Sequence, residues 1–168
     1  MTAGTVLEIF TTSAANAPMV GHAEAEAIPG KGLTGDRYAL GIGFYSNNPI
    51  TSGARELTLI DANAITQVTE STGLPFSTIE SRRNLITSGV ELDALIGQAF
   101  SVGDVVCEGV RACPPCVHLE ELTGKRVMKA LVRTGGLRAR IGQGGTIRVG
   151  DTIEPIGSAA GPSVGNDE

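Results

Sequence analysis

Tryptophan is absent from this chain, and aromatic residues make up only 4% of it. Aromatic rings normally supply a large share of the area that a protein core buries. Here the hydrophobic residues, 41% of the sequence, are instead dominated by valine, isoleucine, leucine and alanine. A chain of 168 residues can bury one ordinary core of such aliphatic side chains, so we expect a single domain.

Long hydrophobic runs and an even set of cysteines are also missing. No stretch approaches the roughly 20 apolar residues of a membrane-spanning helix, and the start MTAGTVLEIF has neither the basic head nor the apolar stretch of a signal peptide. Three cysteines are an odd number, which argues against a disulfide framework. We therefore expect a cytoplasmic protein with no membrane partner, in a reducing compartment.

Positive charge is scarce overall but is concentrated in one segment. The net charge of −5 argues against a nucleic-acid partner. Residues 111–148 nevertheless contain two acidic residues and the following basic ones: Arg111, Lys125, Arg126, Lys129, Arg133, Arg138, Arg140 and Arg148. Two interpretations stay open for this segment. It forms either a solvated helical face or a pocket for a small anionic ligand, because the guanidinium fork matches phosphate oxygens.

The hydrophobic pattern of the rest is mostly that of short β-strands. TVLEIF and MVGHAEAEAI predict an antiparallel hairpin, RELTLID a third strand and NLIT a fourth. Asp61 is expected to cap a helix through ANAITQVTEST that Gly73 ends, and VELDALIG predicts a helical turn.

Two segments near the C-terminal half share one pattern. AFSVGDVVCEG and GTIRVGDTIEPI each contain two apolar runs joined by Val-Gly-Asp, which predicts two further hairpins. Because closure hides strand edges, these elements together predict a mainly β (α+β) fold, a small barrel of antiparallel strands with a few short helices.

The least barrel-like segment is CPPCVHLEELTGKRVMKALVRTGGLRARI. Pro114 and Pro115 suit the entry to a helix, which places Cys116 in its first turn. Gly124 should break this helix, and a second short helix should end at Gly135. Residues 157–168 are small and polar, so we expect a flexible tail after a domain of residues 1–156.

The residue types alone leave the role of the cysteines open. Cys113 and Cys116 with His118 and Cys107 offer soft ligands for a structural zinc ion, and the C-P-P-C spacing also fits a redox dithiol. A single reactive thiol and plain packing are the other readings. Cys107, in the apolar run DVVCEG, fits a core residue.

A glycine-rich loop, PGKGLTGDRYALGIG, carries two cations, Lys31 and Arg37. It lacks the features of a Walker loop or a Rossmann fingerprint, so loop geometry and ligand binding both remain open. Asp36 either fixes this loop by accepting backbone N–H groups or contacts a ligand.

Several motifs resemble a known family when they are taken in order. GLTGDRY, RELTLID, RRNLITSGVELDALIGQAFSVGDV, RACPPCVHL and GGLRARI, with a closing GTIRVGD, occur in this order in MOSC domains, named for the C-terminal domain of molybdenum cofactor sulfurases. Residues 4–156 resemble a free-standing MOSC protein. The resemblance implies a barrel-like fold and a molybdenum cofactor (molybdopterin) that is bound or whose sulfur is handled.

The resemblance also implies site residues. In related proteins a cysteine of the Pro-Cys type ligates molybdenum or is proposed to carry persulfide sulfur, and Cys116 matches it as catalytic residue and metal ligand. We expect Arg82 to point away from Arg83 on an extended backbone. The candidates to hold the cofactor's anionic phosphate and pterin are Arg37, Arg83, Asn84, Arg111, Arg133 and Arg138.

The functional hypothesis is therefore a protein that binds the molybdenum cofactor or carries its sulfur through Cys116, or a component in the reduction of N-hydroxylated compounds. A non-enzymatic carrier of the cofactor is the alternative. The sequence shows no pyridoxal-phosphate desulfurase domain and no iron–sulfur or flavin module. A cysteine desulfurase or an electron-transfer protein is accordingly the expected partner, beside the small anionic pterin itself.

Overall fold

The computed structural model describes residues 3–43, 55–115, 117–131 and 133–156. The strands are β1 Gly4–Thr11, β2 Val20–His22, β3 Glu24–Ile28, β4 Gly32–Leu33, β5 Leu57–Asp61, β6 Leu85–Ser88, β7 Ala99–Val102, β8 Val105–Ala112, β9 Leu137–Gln143, β10 Gly145–Arg148 and β11 Thr152–Pro155. The helices are α1 Ala62–Thr72, α2 Val117–Thr123 and α3 Met128–Leu131, with 3₁₀ turns at Thr78–Ser81 and Leu92–Leu95.

Seven of the strands close into a barrel in the order β11, β7, β8, β9, β5, β6, β1, and β1 pairs again with β11. The predicted mainly β, barrel-like fold is confirmed. β2 extends β1 outside the barrel, while β10, β3 and β4 form a separate small sheet. Contrary to a wholly antiparallel arrangement, β5 and β6 are parallel, because α1 carries the chain back across the barrel between them.

The predicted second strand is in fact two strands. β2 pairs with β1, but at Ala23 the chain leaves that strand, and β3 pairs with β10 and β4. The carbonyl of Ala23 accepts a hydrogen bond from Val149 N at 3.0 Å, so a distant turn takes the bond that would have continued the hairpin.

The predicted hairpin of GTIRVGDTIEPI is wrong, because its two strands, β10 and β11, do not pair with each other. A turn does form, since Asp151 N donates to Arg148 O at 3.0 Å, but β10 joins the small sheet and β11 joins β7 and β1. The backbone N–H of Gly150, where φ is +97°, binds Val6 O at 2.8 Å instead of a partner within the turn. By contrast β7 and β8 form the predicted hairpin, turning through Gly103.

Two aliphatic clusters form the core. One fills the barrel and includes Leu57, Phe100 and Ile147, all fully buried. The other lies between the outer face of the barrel and the helices, where Ile60 and Leu131 are also fully buried. The helices therefore cover one side of the barrel.

The local signals for the helices are confirmed where the structure describes them. Asp61 Oδ1 accepts Asn63 N at 2.7 Å at the start of α1, and Gly73 ends it with φ of +73°. Gly124, with φ of +69°, ends α2. Within the described part of the chain, no helix is both long enough and apolar enough to cross a membrane.

Candidate functional site

The segment Cys113–Pro115 leaves the end of β8 and is held by Arg83. Arg83 Nε donates to Gly135 O at 2.9 Å, and Nη2 donates to the carbonyls of Cys113 and Pro114 at 3.1 and 3.5 Å. Nη1 donates to Ser81 O at 3.3 Å. Arg83 is only 8% exposed, so its charge is buried against four main-chain carbonyl dipoles. We call residues 113–115 the cysteine segment.

Two glycines form the other side of this arrangement. Cys113 N donates to Gly136 O at 2.7 Å, and a Cβ at Gly135 would overlap Cys113 O and lie 3.1 Å from Pro115 Cδ. At Gly136, φ is +111° and a Cβ would overlap Leu59 O. Only glycine permits this approach at either position. From the sequence, Gly135 was expected only as a helix end, so its role against the cysteine segment was missed.

Arg111 and Arg138 are brought together by strand register. They are Cα partners between β8 and β9. Arg138 alternates with the fully buried Leu137 and Ala139, so it lies on the outer face of the barrel, and Arg111 shares that face. The next partner of Arg138, across β5, is Thr58. Two predicted cofactor-binding arginines therefore lie side by side. Arg111 comes just before the cysteine segment, and Arg138 comes just after the glycines that contact it.

Asn84 is near this face but its amide is engaged by the fold. Its Oδ1 accepts Thr58 N at 3.1 Å and Thr58 Oγ1 at 3.2 Å, and its Nδ2 donates to Phe10 O at 3.1 Å. At 4% exposure, it ties β1 and β5 to the start of β6. These contacts give Asn84 a role in joining strands, while its role toward a cofactor stays a prediction.

Arg37 lies in a second, neighbouring cluster. It is 8% exposed, and it donates to Asp36 Oδ1 at 3.3 Å, to Met19 Sδ at 3.6 Å and to Arg82 O at 3.4 Å. Its guanidinium also stacks 4.8 Å from the ring centre of Tyr38. Arg37 thus connects the glycine-rich loop to the Arg82–Arg83 pair.

Asp36 takes the loop-fixing role that was one of its two predicted readings. It is 1% exposed, and it accepts Thr12 N at 3.2 Å and Tyr38 N at 3.3 Å. Its carboxylate therefore joins the glycine-rich loop to the chain that follows β1.

Arg82 differs from the prediction of an extended backbone. Its φ is +58°, the left-handed region, and among the described residues it is the one non-glycine residue with positive φ. Nη1 and Nη2 donate to Ala17 O at 2.9 Å and Ala15 O at 2.8 Å. Burial, and then the charge of Arg37, lowers the pKa of the Arg82 guanidinium to about 10. The sequence analysis left Arg82 out of the candidate site residues, although its position next to Arg83 was a signal for including it.

Arg133 lies at an opening that the cysteine segment itself lines through Cys113 and Pro114. A cavity of about 400 Å³ is lined by Arg133, Asp93, Ala112 and Cys113, among others, and a neighbouring one of about 300 Å³ shares Arg133 and Asp93. Ala112 pairs with the interior-facing Leu137, whereas Arg111 faces outward. The arginine pair of β8 and β9 and the cavity at Arg133 therefore lie on different sides of that strand pair.

The two described thiols are both buried. Cys107 is 1% exposed within the barrel, which confirms it as a core residue, and burial, with a smaller effect of Glu56, raises the pKa of its thiol to about 12. Cys113 is also 1% exposed. Six residues of a strand span about 20 Å, so Cys107 and Cys113 are too far apart to ligate one zinc ion.

The two remaining residues of the cysteine motif are outside these observations. Cys116 lies outside the described residues, and so does the side chain of His118. Within the described part of the chain, no group of three or more His, Cys, Asp or Glu side chains could hold a metal ion. Catalysis and metal binding by Cys116 therefore stay predictions.

The fold is similar to that of several solved structures. The YuaD protein from Bacillus subtilis has a TM-score of 0.73 at 15% identity, over 91% of this chain and 97% of that one. YiiM from Geobacillus stearothermophilus has a TM-score of 0.67 at 16% identity, over 94% and 77%. YiiM from Escherichia coli has a TM-score of 0.61 at 16% identity, over 93% and 70%. At such identities the likeness establishes the fold alone. No curated protein sequence matched the chain.

The family comparison extends the likeness from fold to sequence. The family model of the MOSC domain matches residues 44–154, which is more than half of the chain and includes the cysteine motif and the arginines from Arg83 onward. MOSC domains are associated with molybdenum-cofactor proteins, and this supports a role related to that cofactor. The chain belongs to the MOSC domain family.

Proposed function

We propose that this protein binds the molybdenum cofactor, or accepts and passes on its sulfur, through Cys116. The observation that carries the proposal is the group of three arginines beside the segment that leads into this cysteine. Arg111 and Arg138 are register partners, and Arg83 is buried against the carbonyl oxygens of Cys113 and Pro114. Cations and N–H donors grouped around a cysteine suit an anionic, sulfur-containing ligand.

The residues present fit a phosphate-bearing pterin. Arg37 and Arg82 lie close enough for Arg37 to donate to Arg82 O, and Asp36 is the carboxylate that pairs with Arg37. Two guanidinium groups held this close repel each other, which costs free energy, and a bound anion would reduce that cost. When bound, the cofactor would supply a molybdenum centre that takes sulfur ligands.

The chain's own residues would act in two ways in this proposal. Arg111, Arg138 and Arg133, with Arg37 from the glycine-rich loop, would hold the anionic parts of the cofactor. The thiolate of Cys116 would ligate the metal or carry persulfide sulfur, because a thiolate is the competent ligand and nucleophile.

Metal content tests the proposal. The protein is produced in a host that makes the cofactor, and molybdenum and zinc per chain are measured by mass spectrometry. We expect molybdenum in the wild type, its loss in Cys116→Ser, and retention of most of it in Cys113→Ser. Serine keeps the size of cysteine but is a harder ligand and forms no persulfide. The double variant Arg111→Gln with Arg138→Gln should lose molybdenum, while Arg133→Gln reports on the cavity.

Arg148→Gln is the matched control. Arg148 also lies on a strand, but it pairs with Glu24 on the small sheet at 3.4 Å, away from the cysteine segment. For the sulfur-carrier form, the protein is incubated with a cysteine desulfurase and cysteine, and persulfide is located by peptide mass spectrometry. Zinc at one per chain without molybdenum, or persulfide and molybdenum that both survive Cys116→Ser, would contradict the proposal.

A further inference from the structure

The contacts of Arg83 assign it a different task from that of a cofactor ligand. We propose that Arg83 is a positioning residue that locks the cysteine segment in place through its carbonyls. The proposal rests on the proposed function only in taking Cys116, the next residue of the chain, as the reactive thiol.

The hydrogen bonds of Arg83 leave little of the guanidinium for a ligand. Of its five N–H groups, four have acceptors in the described structure: the carbonyls of Gly135, Ser81, Cys113 and Pro114. The side chain is buried, and a guanidinium stays charged even when it is buried. Arg83 therefore joins three stretches of chain, the turn before β6, the cysteine segment and the turn before β9.

The rigid shape of the guanidinium makes this arrangement specific. A planar fork can reach several carbonyls at fixed angles, whereas the ammonium of lysine is a single point with three donors on a flexible stem. Gly135 and Gly136 complete the contact, since Cys113 N binds Gly136 O and any side chain at Gly135 would push the segment away. Local opening of this segment should thus be suppressed by Arg83.

Geometry and charge are separable at this position, because lysine keeps the charge of Arg83 without its planar fork.

Thiol labelling separates local opening from global unfolding within one molecule. The full chain is exposed to a small alkylating reagent at one pH, well below the melting temperature of each variant, and the labelling rates of Cys107, Cys113 and Cys116 are measured by peptide mass spectrometry. Cys107 lies in the barrel core and reports global unfolding, so the ratio of Cys113 to Cys107 labelling reports local opening of the cysteine segment.

We expect Arg83→Met to raise the Cys113 to Cys107 ratio by about tenfold or more, since buried carbonyls lose charged donors. Arg83→Lys, which keeps the charge without the planar fork, should restore little of the protection of Cys113. The control is Arg82→Met, which removes an adjacent arginine that holds Ala15 and Ala17 instead, and it should leave the ratio unchanged.

An unchanged Cys113 to Cys107 ratio in Arg83→Met would overturn the positioning role. Full protection of Cys113 in Arg83→Lys would overturn the role of the planar fork. If Cys116 fails to react in the wild type, the proposed function is what fails, and the Cys113 ratio still decides whether Arg83 holds the segment.

Discussion

A single methyl group added at Gly135 should disturb the cysteine segment more than its size suggests. The Cβ of alanine at this position would overlap Cys113 O and stand 3.1 Å from Pro115 Cδ and 3.2 Å from Leu131 O. The added methyl group would clash with backbone carbonyl oxygens on two sides, and these oxygens cannot rotate away. Either Gly135 or the cysteine segment must therefore move.

The expected cost follows from what that movement breaks. Overpacking of a well-packed interior costs about 1–3 kcal/mol. Displacing Gly135 also strains its 2.9 Å bond from Arg83 Nε, and a hydrogen bond to a charged group contributes about 1.5–3 kcal/mol. We expect Gly135→Ala to lower the free energy of unfolding by about 3 kcal/mol, which for a domain of this size lowers the melting temperature by about 6–12 °C.

Urea unfolding followed by far-ultraviolet circular dichroism measures this change, since the chain lacks tryptophan. The matched control is Gly142→Ala on β9, where a Cβ would meet only Val106 O at 3.6 Å, an ordinary contact. Its free energy of unfolding should stay within about 0.5 kcal/mol of the wild type. In a double-mutant cycle, Gly135→Ala and Arg83→Met should be non-additive, because both disrupt one contact. Equal stability of the two alanine variants would refute the close packing of the cysteine segment against Gly135.

Two further predictions concern titrating groups. Because burial raises the pKa of the Cys107 thiol to about 12 from its ordinary value of 9.0, the stability it contributes is complete below about pH 9 and is lost as pH rises toward 12. The stability difference between wild type and Cys107→Ala should therefore shrink by about 1 kcal/mol between pH 8 and 10 in urea titrations, and a constant difference would contradict the burial of this thiol. Burial alone would raise the pKa of Glu80, but hydrogen bonds from Lys125 and Ser77 outweigh it and lower that pKa. Glu80→Gln should thus cost about 0.5–1 kcal/mol at pH 7, and the loss should vanish as pH falls through the pKa of Glu80; Lys125→Met in the same background should add little.

Short-range signals predicted the elements of this fold well. The Asp61 cap, the Gly73 stop and the turn at Gly103 each depend on a residue and its immediate neighbours, and all three are present. The pairing of β10 and β11 failed for the opposite reason. Their turn looks like that of a hairpin, but the N–H groups of Val149 and Gly150 bind Ala23 and Val6, which are distant in sequence.

In the candidate site too, the sequence indicated which residues matter but not which distant groups they contact. Motif order singled out Arg83, and register brought Arg111 and Arg138 together, but the sequence could not show what Arg83 binds. Its acceptors are main-chain carbonyls, which every residue carries, so side-chain identity contains no trace of the contact. Gly135 was likewise visible as a glycine but not as a point of close approach. The left-handed backbone of Arg82 could not be expected at a residue type that rarely adopts it.

The closing position of β11 has a consequence for how the protein folds. β11 lies between β7 and the first strand, so it holds the two ends of the curved sheet together through pairs such as Gly4 with Ile153. A chain emerging from the ribosome keeps two unpaired strand edges until β11 is made, and contacts of such long sequence separation form slowly. The nascent protein should accordingly be most vulnerable to edge-to-edge association before β11 is made, and chaperone dependence should rise sharply in any variant that weakens β11.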